Sequence, residues 1–130
     1  MAFDISEKND LEKHTTIRRQ NWPLRDKYRV EKLPNHRFVA YVGDELAGLS
    51  YAEINDSEAK VHMNLKSEYT EYGIGTELLY MLMHDLKESG FKIIRYEIYR
   101  DRYAYQIYRI FLEFNVEEEN DEIVKFIWKA

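Results

Sequence analysis

Gly73-Ile74-Gly75 stands in a polar loop between an apolar strand pattern (Val61, Met63, Leu65) and a long amphipathic helix pattern. That order of parts can hold an anion. The first N–H groups of a helix have no intrahelical partner, and with the helix dipole they carry about half a positive charge. Glycines at the entrance let a phosphate approach the backbone closely. A second residue with chemical potential is His62, on the strand that leads into the loop. Alternation puts it on one face with Lys60 and Asn64, opposite Met63. An imidazole can take up a proton near neutral pH, so this position suits a general base; the other reading is an ordinary strand histidine. Glu53 and Glu97 also fall at strand positions, as further bases or as surface ion-pair partners.

The rest of the composition narrows the chemistry. The chain has 130 residues and no cysteine, which excludes disulfides, thiolate zinc sites and a cysteine nucleophile. His14, His36 and His84 have no metal-ligand spacing with one another, so no metal is expected. The net charge is −5, but residues 11–37 carry eight Lys or Arg against three acids. An acidic remainder argues against nucleic acid as a partner, because phosphate contacts dominate that affinity. No apolar run reaches the roughly 18 residues that span a bilayer, and the first ten residues lack the pattern of a secretory signal. The expectation is one domain over 1–130 in the cytoplasm.

The elements that must position these residues follow in order. A short strand is expected at Phe3–Ile5. Ser6, Asn9 or Asp10 then caps a helix in which Leu11, His14, Ile17 and Arg18 recur at helical spacing. Pro23 breaks that pattern and opens a second short helix with Leu24 and Tyr28 facing in. Lys32 to Asn35 reads as a turn. Strands at 36–42, 46–54 (with Gly48 as a bulge) and 59–66 are joined by short turns and form an antiparallel meander. The helix from Thr76 to Ser89 buries Leu78, Leu79, Leu82, Met83 and Leu86, and Gly90 ends it in the left-handed conformation. A strand from Phe91 to Tyr99 follows. The strand–helix–strand order makes it parallel to the strand of His62. A helix at about 102–114, an acidic loop at 117–122 and a strand from Ile123 to Trp128 complete the chain.

The order of elements over 36–130, with the N-terminal strand and helices, resembles the GCN5-related N-acetyltransferase (GNAT) family. Glu68-Tyr69-Thr70-Glu71-Tyr72-Gly73-Ile74-Gly75-Thr76 looks like that family's acetyl-CoA loop, R/Q-x-x-G-x-G/A. Asp101-Arg102-Tyr103-Ala104-Tyr105-Gln106-Ile107-Tyr108 resembles its N-x-x-A-x-x-L-Y element. The implied fold is α/β: a mixed, mostly antiparallel sheet with a central parallel strand pair and flanking helices.

The resemblance implies transfer of an acetyl group from acetyl-CoA to an amine, by direct attack without a covalent enzyme intermediate. It places the pyrophosphate on the loop at Thr70, Glu71, Tyr72, Gly73, Ile74, Gly75 and Thr76. Pantetheine lies along Met63, Asn64 and Leu65, and Asp101 and Ala104 complete the cofactor site. A backbone N–H near Leu65 polarises the thioester carbonyl. Tyr108 is the general acid for the departing thiolate, and His62 is the candidate base. Tyr108 also falls on the buried stripe of its helix, so a packing tyrosine is its other reading. The acceptor implied is an amine-bearing small molecule or peptide. The cluster of Trp22, Arg18, Arg19 and Arg25 lines either an acceptor pocket or a solvated helix face. The loop departs from the family pattern at Thr70, where Arg or Gln is usual, and at Glu71; Asp101 and Glu113 depart elsewhere. These departures favour a second reading, a GNAT fold that binds a ligand or protein partner without catalysis. A homodimer through the last strand or the exposed tyrosines is a further expectation.

Overall fold

Four successive segments rich in apolar, aromatic and β-branched side chains, with turn chemistry between them, build one half of the sheet. The computed structural model describes residues 12–13, 15–100 and 113–130. Strand β1 is Tyr28–Leu33, β2 Arg37–Val42, β3 Glu45–Asn55 and β4 Glu58–Leu65. Each pairs antiparallel with the next. Their turns rest on left-handed residues: Asn35 and His36 between β1 and β2, Gly43 between β2 and β3, Asp56 between β3 and β4. Asn and Asp tolerate positive φ better than most residues because the short side chain bonds locally.

Helix α1, Ile74–Glu88, follows β4 and ends at Gly90, whose φ is 90°. Strand β5, Ile93–Tyr99, returns parallel to β4. Strands β6, Asn115–Glu119, and β7, Ile123–Lys129, form an antiparallel hairpin, with β7 against β5. The seven strands lie in the order β1-β2-β3-β4-β5-β7-β6. This is the expected mixed sheet with a central parallel pair. The core lies on the face that α1 covers. Leu78, Leu79, Leu82, Met83 and Leu86 are fully buried there with Val61, Ile94, Val124 and Phe126. Ser50 is the polar member of this layer and donates a 3.0 Å hydrogen bond to the Leu78 carbonyl.

Several expectations are corrected. The second helix after Pro23 is only a single 3-10 turn, Arg25–Lys27, and the chain then enters β1. Tyr28, Val30 and Lys32 alternate toward α1 and pair with β2, so cross-strand pairing wins over local helix propensity. Lys32 and Leu33 accordingly end that strand, and the turn is 34–36. The acidic run at 117–122 is a strand through Glu119, with only 120–122 as its turn. Its charges are matched: Glu117 meets Arg95, Glu118 meets Lys125 and Glu119 meets Arg100. The expected strand at Phe3–Ile5 and the helix from 102 lie outside the described residues. The last two positions assigned to that helix, Glu113 and Phe114, are not helical.

Candidate active site

The parallel pairing of β4 with β5 stops after three residue pairs, Glu58 with Ile93, Ala59 with Ile94 and Lys60 with Arg95. On its other side β4 stays paired with β3 along its full length. Beyond Lys60, the β5-facing backbone groups of Val61 to Leu65 therefore have no strand partner among the described residues. The glycine loop and the start of α1 follow directly at the end of this unpaired stretch.

Gly48 and Gly75 let these parts come together. A Cβ on Gly75 would stand 2.8 Å from Met63 Cε, so the helix start sits tightly against β4. A Cβ on Gly48 would stand 2.9 Å from the Asn64 carbonyl oxygen and 2.8 Å from Leu65 Cδ1. Gly48 also lies at the irregularity expected there: Ala40 pairs with Gly48 but Tyr41 pairs with Leu46, which leaves Ala47 as the extra residue.

The loop runs from Lys66 through a 3-10 turn, Ser67–Tyr69, to Gly73 in the left-handed conformation (φ 72°). Thr70 turns its hydroxyl back to donate to the Ser67 carbonyl. Glu71 is exposed, Tyr72 and Gly73 are half-buried, and Ile74, Gly75 and Thr76 are buried. The reachable part of the loop is thus 70–73, while the helix end lies deeper. No side chain caps the helix, and the first intrahelical bond runs from Glu77 N to Gly73 O. The three amides before it have no intrahelical acceptor.

The loop is held from two sides. Tyr69 donates to Glu45 Oε2 at 2.8 Å and Lys66 Nζ lies 3.1 Å from Glu45 Oε1, which ties the loop to the β2–β3 turn. The hydrogen bond to Glu45, aided by burial, pushes the Tyr69 phenol up to about 12. The Glu45 carboxyl is held below its usual value by Tyr69 and then by Lys66. From the other side come residues 18–22. Arg18 Nη1 donates to the Glu71 carbonyl at 3.3 Å, and Arg19 Nε to the Tyr72 carbonyl at 2.9 Å. Arg19 Nη1 also donates to Glu77 Oε2 at 2.9 Å, and its guanidinium lies 4.3 Å from the Tyr28 ring centroid. Tyr28 donates to Glu77 Oε1 at 2.7 Å; burial and then the Glu77 charge hold its phenol far above the usual range. Trp22 stacks on Tyr72 with ring centroids 4.3 Å apart.

On the face away from α1, His62 stacks on Tyr51 at 4.9 Å, and its Nε2 lies 2.7 Å from Glu53 Oε1 without lining up along the ring N–H. This face is charged: Lys60 pairs with Glu97, and Arg95 with Glu58. Glu97 is thereby an ion-pair partner, and Glu53 is the carboxylate beside the imidazole.

The structure brings His62, Met63, Asn64, Leu65 and Thr70 to Thr76 into one region around the β4–β5 divergence. Asp101, Ala104 and Tyr108 lie outside the described residues. Arg18, Arg19 and Trp22 brace the loop, whereas Arg25 donates to the carbonyls of Gln20 and Trp22 within its own segment. Glu77 and Tyr28 complete the Arg19 cluster; the sequence marked Tyr28 only as an inward-facing residue, and Glu77 carried no signal beyond its place in the first helical turn. Among the described residues, no group of three His, Asp or Glu could hold a metal ion, and no helix is long and apolar enough to cross a membrane.

Residues 4–126 match the sequence model of the acetyltransferase (GNAT) family. No curated protein matches the chain by sequence. Among solved structures, the chain is similar to the PaiA N-acetyltransferase from Thermoplasma acidophilum in complex with coenzyme A, with TM-score 0.60 and 23% identity over 72% of this chain. The match covers 60% of that protein's own length. A Bacillus subtilis acetyltransferase in complex with CoA matches at TM-score 0.59 and 16% identity, over 94% of this chain and 92% of its own. The ribosomal-protein-S18-alanine N-acetyltransferase from Escherichia coli matches at TM-score 0.61 and 14% identity, over 99% and 91%.

Proposed function

The chain belongs to the acetyltransferase (GNAT) family, and from that premise we propose that it transfers an acetyl group from acetyl-CoA to an amine acceptor. The observation that carries this reading is the divergence of β4 from β5 after Lys60, directly beside the glycine loop. A strand with unsatisfied amides next to a helix start offers places for the two halves of CoA. Pantetheine amides bond along Met63, Asn64 and Leu65, and the pyrophosphate meets Thr70 to Gly73 on its way to the helix amides of Ile74, Gly75 and Thr76. Two of the structural neighbours are CoA complexes, which supports the same donor here.

In the reaction the amine nitrogen attacks the thioester carbonyl carbon. Charge gathers on the carbonyl oxygen, and an N–H near Leu65 is the donor assigned to it. The carbon–sulfur bond breaks, and the thiolate takes a proton from the group assigned as acid, Tyr108. The amine proton goes to the base, assigned to His62, whose Nε2 lies 2.7 Å from Glu53 Oε1. Asp101 and Ala104 are assigned to the CoA side. The acceptor is an amine-bearing small molecule or peptide.

A second reading, a fold that binds a ligand or partner without catalysis, is favoured by Thr70 and Glu71. The Thr70 hydroxyl is spent on Ser67, and Glu71 puts a negative charge at the reachable part of the loop. A thermal-shift titration with acetyl-CoA separates the two when paired with an acetylation assay on a panel of amines. A ligand at about a hundred times its Kd stabilises the native state by about 2.7 kcal/mol. Absence of any shift overturns the acetyl-CoA reading; a shift without turnover selects the binding reading.

A further inference from the structure

We propose that Arg19 is the positioning residue of the phosphate loop, supplying from the N-terminal helix (helical at 15–19) the order and the charge balance that the loop's own side chains lack. The inference rests on the acetyl-CoA reading above. In a trans peptide the carbonyl of one residue and the N–H of the next point in opposite directions. Arg18 holds the Glu71 carbonyl and Arg19 holds the Tyr72 carbonyl. The amides of Tyr72 and Gly73, which share those peptide planes, are therefore turned away from the N-terminal helix, side by side. Two adjacent amides beside a left-handed glycine make a concavity suited to an anion.

The second half of the argument is charge. Glu77 lies in the first turn of α1, where a carboxylate favours the helix but repels an incoming phosphate. Arg19 is bonded to that carboxylate, and Tyr28 occupies its other oxygen. One guanidinium thus orients a loop amide and pairs with the carboxylate of the first helical turn. Stacking over Tyr28 keeps it flat, and its side chain is only 16% exposed. Lysine cannot make both contacts with a planar fork. Arg19 need not touch CoA; it acts through Tyr72 and Glu77.

The test is calorimetric titration of CoA into wild type, Arg19→Met, Arg19→Lys and the double variant Arg19→Met/Glu77→Gln, with steady-state kinetics using acetyl-CoA and acetyl-pantetheine. Loss of a charge-assisted contact predicts at least about a tenfold weaker CoA affinity for Arg19→Met. The KM for acetyl-CoA rises by the same factor while kcat stays within about twofold. Arg19→Lys falls between, and the double variant recovers part of the loss because the fixed anion is gone. Kinetics with acetyl-pantetheine, which has no pyrophosphate to place, are unchanged. A merely structural arginine would impair both donors alike, and that result overturns the proposal. So does CoA affinity within twofold of wild type in a folded Arg19→Met or Arg19→Lys variant. If wild type itself binds no CoA, the acetyl-CoA reading fails and this inference falls with it; wild-type binding with unaltered variants defeats this inference alone.

Discussion

Trp22 lies flat on Tyr72, with ring centroids 4.3 Å apart and planes 11° from parallel. The same indole meets Tyr69 edge-on at 6.3 Å and Tyr28 at 6.0 Å, so one side chain gathers both ends of the loop and the start of β1. It is almost fully buried. Replacing it by Ala removes this contact set and leaves a cavity, at a cost of about 3 kcal/mol or more. Urea unfolding at neutral pH measures the cost. Trp22→Phe keeps the stacking partner and should lose less than half as much.

Gly48 and Gly75 predict unequal costs for the same substitution. Alanine at Gly48 would press on the Asn64 carbonyl, which the β3–β4 ladder holds in place. Overpacking of that kind costs about 1–3 kcal/mol. Alanine at Gly75 meets the free end of Met63, which can swing aside, and it gains helix propensity of up to about 1 kcal/mol. Denaturant midpoints should therefore drop clearly for Gly48→Ala and little for Gly75→Ala. The reverse order would contradict the packing described here.

Asp85 sets an acid-dependent part of the stability. Burial alone would raise its carboxyl, but hydrogen bonds from Lys32 at 2.8 Å and with His36 at 2.6 Å outweigh it and hold the group below its usual value. A depressed carboxyl contributes stability above its unfolded value, near about 3.9, and loses it as the pH falls through the folded value. Asp85→Asn should thus be less stable than wild type at pH 7, by about 1 kcal/mol. The gap should close as both proteins are melted at successively lower pH below about 4. A gap that persists unchanged at pH 2.5 would show that the loss is packing alone.

His62→Gln tests the proton acceptor. The variant keeps a polar side chain near Glu53 and Tyr51 but cannot carry the amine proton. Removal of a general base typically costs about 10²–10⁴ in rate. The expected result is a fall of that size in kcat at pH 7 with the KM for acetyl-CoA unchanged. Restoration of the rate at high pH, where the acceptor amine is already neutral, would support the role. A fully active variant would remove His62 from the mechanism.

The meander, helix α1 and the parallel return were legible from local pattern: the apolar run of β2, the alternation in β4, and the 3.6-residue stripe of Leu78, Leu79, Leu82, Met83 and Leu86. Gly90 and the turn residues marked the boundaries. What failed was decided by partners distant in sequence. Tyr28 to Leu33 became a strand because β2 was there to pair with it. Glu117 to Glu119 became a strand because Arg95, Lys125 and Arg100 met the charges that had suggested a solvated loop. The loop's glycines were visible as an anion cradle. Its bracing was not, since Arg19 is more than fifty residues from Tyr72 and Glu77 in the chain and nothing in its own neighbourhood links it to them.

The parting of β4 from β5 after Lys60 also gives the sheet an inward-facing rim. Sheets normally keep unsatisfied backbone at their outer borders, where charge or proline blunts it. Here a row of donors and acceptors opens in the middle, flanked by strands on both sides. A molecule with peptide-like groups at strand spacing would act there as a surrogate strand. An extended peptide segment would find the same row of groups, so the opening carries inside the sheet an exposure that other sheets confine to their edges.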